Sequence, residues 1–354
     1  MCRLLAYAAP RDTTVTKVVG SMNSDAFQRM TSVHSDGWGT AWLAQGPGED
    51  APEIESLRIS TPGQHDPVLS ALLRESPSSA RLVHLRLATD DFKRTKVNTH
   101  PFVGDGIAFA HNGSIVPTHK FASVLDAESF AGVQGDTDSE LYFALVRQNL
   151  RRLGSLRQAV VETVHTLREL FPTASLNAVL LTADELVVVH ASSTASVTAE
   201  TFARYGIDAE DLPDGHVDAY YRLSMLRSAD GTTVFASTGI DTSGWTVVPD
   251  DTVTHVDLAT LDLSQRALFP AAARGTSADA GDGAQPVAAT ATAGAAVMDA
   301  IAAADAVDAW RTTRERGSVW VAPVRDTGRS LDPFVDGRPL PAPVDLASRR
   351  RRAV

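Results

Sequence analysis

Short runs of alternating or continuous hydrophobic residues recur from the first residues of the chain to about Pro270. "GTAWLA", "RLVHLRLA", "GIAFAHNG", "NAVLLTA", "ELVVVHA", "TTVFAST" and "TVTHVDL" each have strand length and are bounded by Gly, Asp, Ser or Pro. The apolar run Leu4 to Ala8 reads as a further core strand. Two stretches instead carry a helical period. "DSELYFALVRQNLRRL" places Leu141, Leu145, Val146 and Leu150 on one face behind an Asp/Ser start. "SLRQAVVETVHTLRELF" does the same with Leu156, Val160, Val164 and Leu167, and Gly154-Ser155 punctuates the join. Many strands with an inserted helical pair predict an α+β architecture rather than a regularly alternating parallel sheet.

The pattern stops after Pro270. Residues 271–296 are Ala, Gly, Thr and Asp with almost nothing to bury, and read as a low-complexity linker. Residues 297–354 hold one short amphipathic helix around Val297, Ile301, Val307 and Trp310, then a Pro- and Arg-rich tail. The expected division is therefore a catalytic body over 2–270, the linker, and a C-terminal helix with a mobile tail.

Composition narrows the function classes. A formal net charge of −11 argues against a general nucleic-acid binder, which needs a basic face; the terminal "SRRRRAV" reads as a solvated tail. No stretch has the apolar length of a membrane span, and the first residues do not read as a signal peptide, so a cytoplasmic protein is expected. A single cysteine excludes an intrachain disulfide, and the 10 histidines form no HxxxH-type pair, so neither metal nor cofactor is expected.

That cysteine is Cys2, directly behind the initiator methionine. A lone cysteine heading an apolar run is first of all a small buried hydrophobe. "HLRLAT", "NTHPF", "AFAHNGSI" and "GDTDSE" follow it in the first 140 residues or so, and each has a plain local reading: Asn-Gly marks a turn, and "TDSE" caps a helix through Thr137 or Asp138. Together with Cys2, in this order, they resemble the class II glutamine amidotransferases of the N-terminal-nucleophile hydrolase superfamily. "HSDGWGTAWL" and the distal "VFASTGIDTSGWTVVPDDTVTHVDL" are similar to the stand-alone branch that contains the γ-glutamyl hydrolase of ergothioneine biosynthesis. The resemblance covers about three-quarters of the chain and implies a four-layer αββα sandwich.

It also implies a site. Removal of Met1 would leave Cys2 with both a thiol and a free α-amine, so nucleophile and base share one residue; with an amine pKa near 7.7–8.0, the rate is expected to fall below about pH 7.5. Asn112 and the Gly113 N–H would form the oxyanion site. Arg86 would pair with the α-carboxylate of a glutamyl group, with Thr89 near it, Asp138 would receive the α-ammonium, and His100 would scaffold the pocket. His34 and His111 read as structural hydrogen-bonding residues, and Gly37 and Gly39 as positions of close packing. Leu87 departs from the pattern, since many members have an aromatic residue there. No ammonia-accepting domain is recognisable in the sequence.

The expected function is cleavage of the γ-glutamyl amide bond of a small conjugate, ergothioneine-pathway or glutathione-like, through a thioester. A glutaminase subunit serving a separate synthetase, docked through the segment near Trp310, and an inactive glutamyl-binding module are the alternatives. The intact Cys2, Asn112 and Gly113 count against the last, because binding alone requires only Arg86 and Asp138.

Overall fold

The computed structural model describes residues 2–44, 52–88, 92–204, 206–208, 210, 212, 216–269, 334–335 and 338–339. In chain order the elements are β1 (Cys2–Thr13), α1 (Val15–Val19), α2 (Ser21–Arg29), β2 (Trp38–Ala44), β3 (Glu53–Ile59), α3 (Pro67–Glu75), β4 (Ser78–Arg86), β5 (Phe102–Gly104), β6 (Ile107–Asn112), α4 (Ala127–Ala131), α5 (Asp138–Leu153), α6 (Leu156–Leu170), β7 (Asn177–Leu181), β8 (Glu185–His190), α7 (Ala199–Ala203), β9 (Leu223–Arg227), β10 (Thr233–Ser237), β11 (Thr246–Val247), β12 (Thr252–Asp257) and β13 (Leu263–Ala267). Phe334–Val335 pairs antiparallel with Arg338–Pro339. Apart from that pair, the expected linker and C-terminal helix lie outside the described residues.

The strands form two antiparallel sheets. One is seven-stranded, in the order β11-β9-β10-β1-β4-β2-β3; the other is six-stranded, β13-β12-β8-β7-β6-β5. Alternation along each strand divides the apolar residues into layers. Leu4, Ala6, Ala80 and Leu82 from the first sheet meet Ala108, Ala110, Val179 and Val188 from the second, forming the central layer. On the outer face of the first sheet, Leu5, Trp38 and Leu85 pack against Val15, Phe27 and Leu69 of α1, α2 and α3. On the outer face of the second, Phe109, Leu180 and Val189 pack against Leu145, Val160 and Val164 of α5 and α6. Helices cover both outer faces, giving the order helix, sheet, sheet, helix. Each fully buried Leu, Val or Phe contributes on the order of 1.5–3 kcal/mol, so these three layers supply the driving force for folding.

The helical pair has well-marked ends. The Thr137 side chain caps α5 by accepting from the Glu140 N–H, Gly154 closes it in the left-handed region at φ 66°, and Ser155 caps α6 by accepting from Gln158. Asp138 is consequently held in the first turn of α5, at one end of the second sheet.

Candidate active site

Cys2 opens β1 and lies in register with Arg86, the last residue of β4. With Leu4 and Ala6 facing the second sheet, alternation puts Cys2 on that same face, and places His84 and Arg86 with Leu82. From the second sheet, Asn112 closes β6. The Cys2 N–H donates to Asn112 Oδ1 at 2.8 Å, tying the end of one sheet to the end of the other. Asn112 is fully buried, yet among the described residues its Nδ2 finds no acceptor. An unmatched buried N–H₂ is costly unless something fills it during function.

Gly113 follows. A Cβ there would stand 2.0 Å from the Ser175 carbonyl oxygen and 2.4 Å from His111 Nε2, so no side chain fits. Gly113→Ala is expected to destabilise the fold by about 1–3 kcal/mol or more through overpacking, read as a fall in the denaturant midpoint with an unchanged slope. A midpoint equal to the parent's would contradict this packing.

His111 is a hydrogen-bonding residue, as expected: its Nδ1 meets Ser139 Oγ at 2.9 Å and its Nε2 meets the Ser175 carbonyl at 2.9 Å. Because a carbonyl only accepts, Nε2 carries the proton. The Asp138 carboxylate accepts the Ile115 N–H on Oδ2 (2.6 Å) and the Ser139 N–H on Oδ1 (2.8 Å), joining the "HNGSI" turn to the start of α5. A carboxylate offers about four lone-pair positions, so these bonds leave room for a further donor.

The remaining motif loops converge on Arg86. Its Nη1 donates to the Asp36 carbonyl (3.3 Å) and its Nη2 to the Lys93 carbonyl (3.2 Å). The Lys93 carbonyl also accepts from Asn98 Nδ2 (3.0 Å), and Asn98 bonds Asp136 through both its amide nitrogen and its oxygen. Gly135 and Gln134 donate their N–H groups to the Glu140 carboxylate. "NTHPF", "GDTDSE" and Arg86 thus form one braced unit. Asp36, from "HSDGWG", accepts the Ala88 N–H at 2.7 Å and pairs with Arg94 at 2.6 Å, holding the chain that leaves β4. Gly39 in the same motif lets β2 approach: a Cβ there would sit 2.1 Å from the His100 carbonyl oxygen. At Gly37, with φ 123°, it would meet the Ile59 carbonyl oxygen at 2.5 Å.

His100 is buried, and among the described residues neither ring nitrogen has a hydrogen-bond partner. Its ring packs 4.2 Å from His84 and 4.7 Å from Phe102, centroid to centroid. Burial first, and then the proximity of His84, His111 and the Arg86 guanidinium, push its pKa well below the usual histidine range, so it is a neutral wall. His34 is fully buried, its ring centroid 6.1 Å from that of His216. Thr89 lies outside the described residues. The other expected site residues, Cys2, Arg86, His100, Asn112, Gly113 and Asp138, belong to this one network of contacts.

One residue escaped the sequence reading. Burial alone would hold the Cys2 thiol protonated, but the positive N-terminus and His84 outweigh it, and the thiol is lowered to about 6. Cys2 Sγ points to that carbonyl at 3.9 Å. His84 Nε2 contacts the His111 carbonyl at 3.3 Å. The available signal was its spacing: His84 precedes Arg86 by two residues on a strand and must share its face.

A chain of two facing antiparallel sheets between helix layers, with a cysteine opening a central strand, has the fold of the N-terminal-nucleophile type. In fold it is similar to the glutamine phosphoribosylpyrophosphate amidotransferase of B. subtilis complexed with ADP and GMP, at a TM-score of 0.50 and 14% identity over 76% of this chain and 49% of that one. The family model described as "Glutamine amidotransferases class-II" matches residues 1–240, and the chain belongs to that family. Among curated relatives it is 27% identical over 198 residues to the "Probable glutamine amidotransferase DUG3" of Saccharomyces cerevisiae, spanning 48% of this chain and 55% of that protein. It is 32% identical over 96 residues to the isomerizing glutamine–fructose-6-phosphate aminotransferase of Escherichia coli, which is 27% of this chain and 15% of the relative. The chain thus spans about half or less of the length of these relatives. Among the described residues no helix is long and apolar enough to cross a membrane.

Proposed function

We propose that this protein is a γ-glutamyl amide hydrolase in which Cys2, exposed by loss of Met1, forms a thioester with the glutamyl group. The observation that carries the reading is the Cys2–Asn112 pair: Asn112 holds the nucleophile's backbone nitrogen with its oxygen while its own amide N–H₂ is left free and buried beside it. That free donor is suited to an oxyanion.

In this reaction the α-amine takes the thiol proton, and the thiolate attacks the γ-carbonyl carbon. Negative charge gathers on the carbonyl oxygen, met by Asn112 Nδ2–H and the Gly113 N–H. The ammonium returns the proton to the leaving nitrogen, the C–N bond breaks, and the thioester remains. The neutral amine then draws a proton from water as the water oxygen attacks the thioester, and sulfur departs with release of glutamate. Arg86 binds the α-carboxylate with two N–H groups, and Asp138 takes the α-ammonium at its spare lone pair. Small conjugates of the ergothioneine or glutathione kind are the substrates this reading favours.

Incubating the purified chain with glutamine and a panel of γ-glutamyl conjugates, and measuring glutamate, tests it. Glutamate from the conjugates supports the proposal; glutamine turnover only on addition of a partner protein would favour an ammonia-supplying subunit instead. In the same assay Arg86→Lys, which keeps charge but loses the planar fork, is expected to raise KM about tenfold or more with a smaller change in kcat. Equal cleavage of α-esterified and free substrates would displace the carboxylate from Arg86.

A further inference from the structure

A single hydroxyl proton beside the site faces two acceptors. Ser139 is buried in the first turn of α5, and its Oγ lies 2.9 Å from His111 Nδ1 and 3.2 Å from Asp138 Oδ1. Burial lowers the His111 pKa against the opposing pull of Asp138, so the ring is neutral near neutrality. Its one proton is on Nε2, which meets the Ser175 carbonyl, and Nδ1 is therefore an acceptor. A serine hydroxyl has one hydrogen to give. It can satisfy the histidine or the carboxylate, not both.

Ser175, also buried, grips the "HNG" turn with two groups. Its carbonyl accepts from His111 Nε2 at 2.9 Å, and its hydroxyl donates to the Asn112 carbonyl at 2.9 Å. That carbonyl and the Gly113 N–H belong to one planar trans peptide, so they point in opposite directions. Holding the carbonyl aims the N–H. The His111 ring between the two serines is itself fixed, with Tyr142 packed edge-on at 5.4 Å, centroid to centroid.

These contacts run without a gap from Asp138 through Ser139, His111 and Ser175 to the Asn112–Gly113 peptide. In the reaction proposed above, the two ends of that chain meet different parts of the substrate: Asp138 the α-ammonium, Gly113 the carbonyl oxygen. With no ammonium present, the carboxylate competes for the Ser139 proton. An ammonium at Asp138 is a stronger, charged donor, and it releases the hydroxyl to His111 Nδ1. A ring that accepts at Nδ1 is polarised into a better donor at Nε2, because hydrogen bonds in a chain strengthen one another. The grip of Ser175 on the turn tightens with it.

Resting on that reaction, we infer that Ser139, His111 and Ser175 are positioning residues that make the alignment of the Gly113 N–H depend on an α-ammonium at Asp138. All three act through other groups. The ammonium is then more than a handle for binding, since its arrival also raises kcat. An amide without it leaves the Ser139 hydroxyl drawn to Asp138 and the turn slack.

The test compares γ-glutamylglycine with glutarylglycine, which differ only in the α-amino group, by release of glycine from the full chain. The first is expected to show a kcat about three- to tenfold higher, as for one neutral hydrogen bond, besides a lower KM from its contact with Asp138. Ser139→Ala should bring the two kcat values within about twofold while the KM difference persists, and Ser139→Thr, which keeps the hydroxyl, should restore the parent ratio. Ser175→Ala should lower kcat about tenfold for both substrates with KM little changed, and it answers the question if the Ser139 variants fail to fold. A kcat ratio near one in the unmodified protein, a ratio that survives Ser139→Ala, or an unchanged kcat in Ser175→Ala overturns the relay while leaving the reaction intact. If neither substrate is cleaved, the conjugate panel above decides whether the reaction itself fails, and the relay is judged by the Gly113 amide resonance in NMR. A shift on adding glutamate that Ser139→Ala removes supports it; no shift, or one that survives the substitution, overturns it.

Discussion

A Cys2→Ala variant is expected to release no glutamate above background while keeping its fold and its affinity for substrate. The substitution removes the sulfur but leaves the backbone N–H that reaches Asn112 Oδ1, so the seam between the sheets survives. The sharper form of the experiment keeps the sulfur and blocks the amine, by retaining Met1 under an uncleavable N-terminal tag, with a tag at Val354 as control. Full activity from protein shown by mass to retain Met1 would eliminate the N-terminal-nucleophile mechanism. The pH profile adds a second readout. From the amine alone the rate falls below about pH 7.5; the lowered thiol changes this. Its pKa of about 6 lies under that of an ordinary α-amine, so near neutrality the sulfur is already thiolate and the amine holds the proton. The thiolate is populated above that value and lost as pH falls through it. The acid limb of kcat/KM is therefore expected near pH 6, and a limb at 7.5 would return control to the amine.

Asn112→Ala should reduce kcat by about 10²–10³, with KM near that of the parent. Asn112 offers two separable groups: its oxygen anchors the Cys2 nitrogen, and its Nδ2 has no acceptor among the described residues. Asn112→Asp distinguishes them, because it retains an acceptor for Cys2 and loses the donor. If kcat in the Asp variant falls as far as in the Ala variant, the donor is responsible. A loss below about threefold in Asn112→Ala would move the oxyanion site elsewhere.

Much of this architecture was readable in advance because the buried elements have strong periods. The runs around β2, β4, β6, β7, β8, β10 and β12 coincide with observed strands to within a few residues, and "DSELYFALVRQNLRRL" is α5 itself. What escaped was peripheral. β3 and β13 are edge strands whose residues are largely half-buried or exposed, so they carry charged side chains and no clean alternation. α2, "SMNSDAFQR", buries only Ser24 and Phe27, too little to leave a helical stripe. α3 was legible but went unread: Asp66 caps it and Pro67 opens it, both ordinary helix-start signals. In the site, the motif residues came from resemblance.

Six of the 18 buried residues in the layer between the two sheets are alanines, Ala6, Ala8, Ala41 and Ala80 on one side and Ala108 and Ala110 on the other. Small side chains set a narrow clearance, and Cys2 and Asn112 sit on opposite jaws of that gap. In the proposed reaction the alanines would therefore act as a gauge for the chemistry as well as filler for the core. Enlarging one of them by a methyl or two would wedge the jaws apart by a fraction of an ångström, a displacement a fold can absorb more easily than a reaction can, given that about 1 Å of misplacement can cost 10²-fold in rate. Turnover should be the most sensitive measure of how closely these two sheets fit.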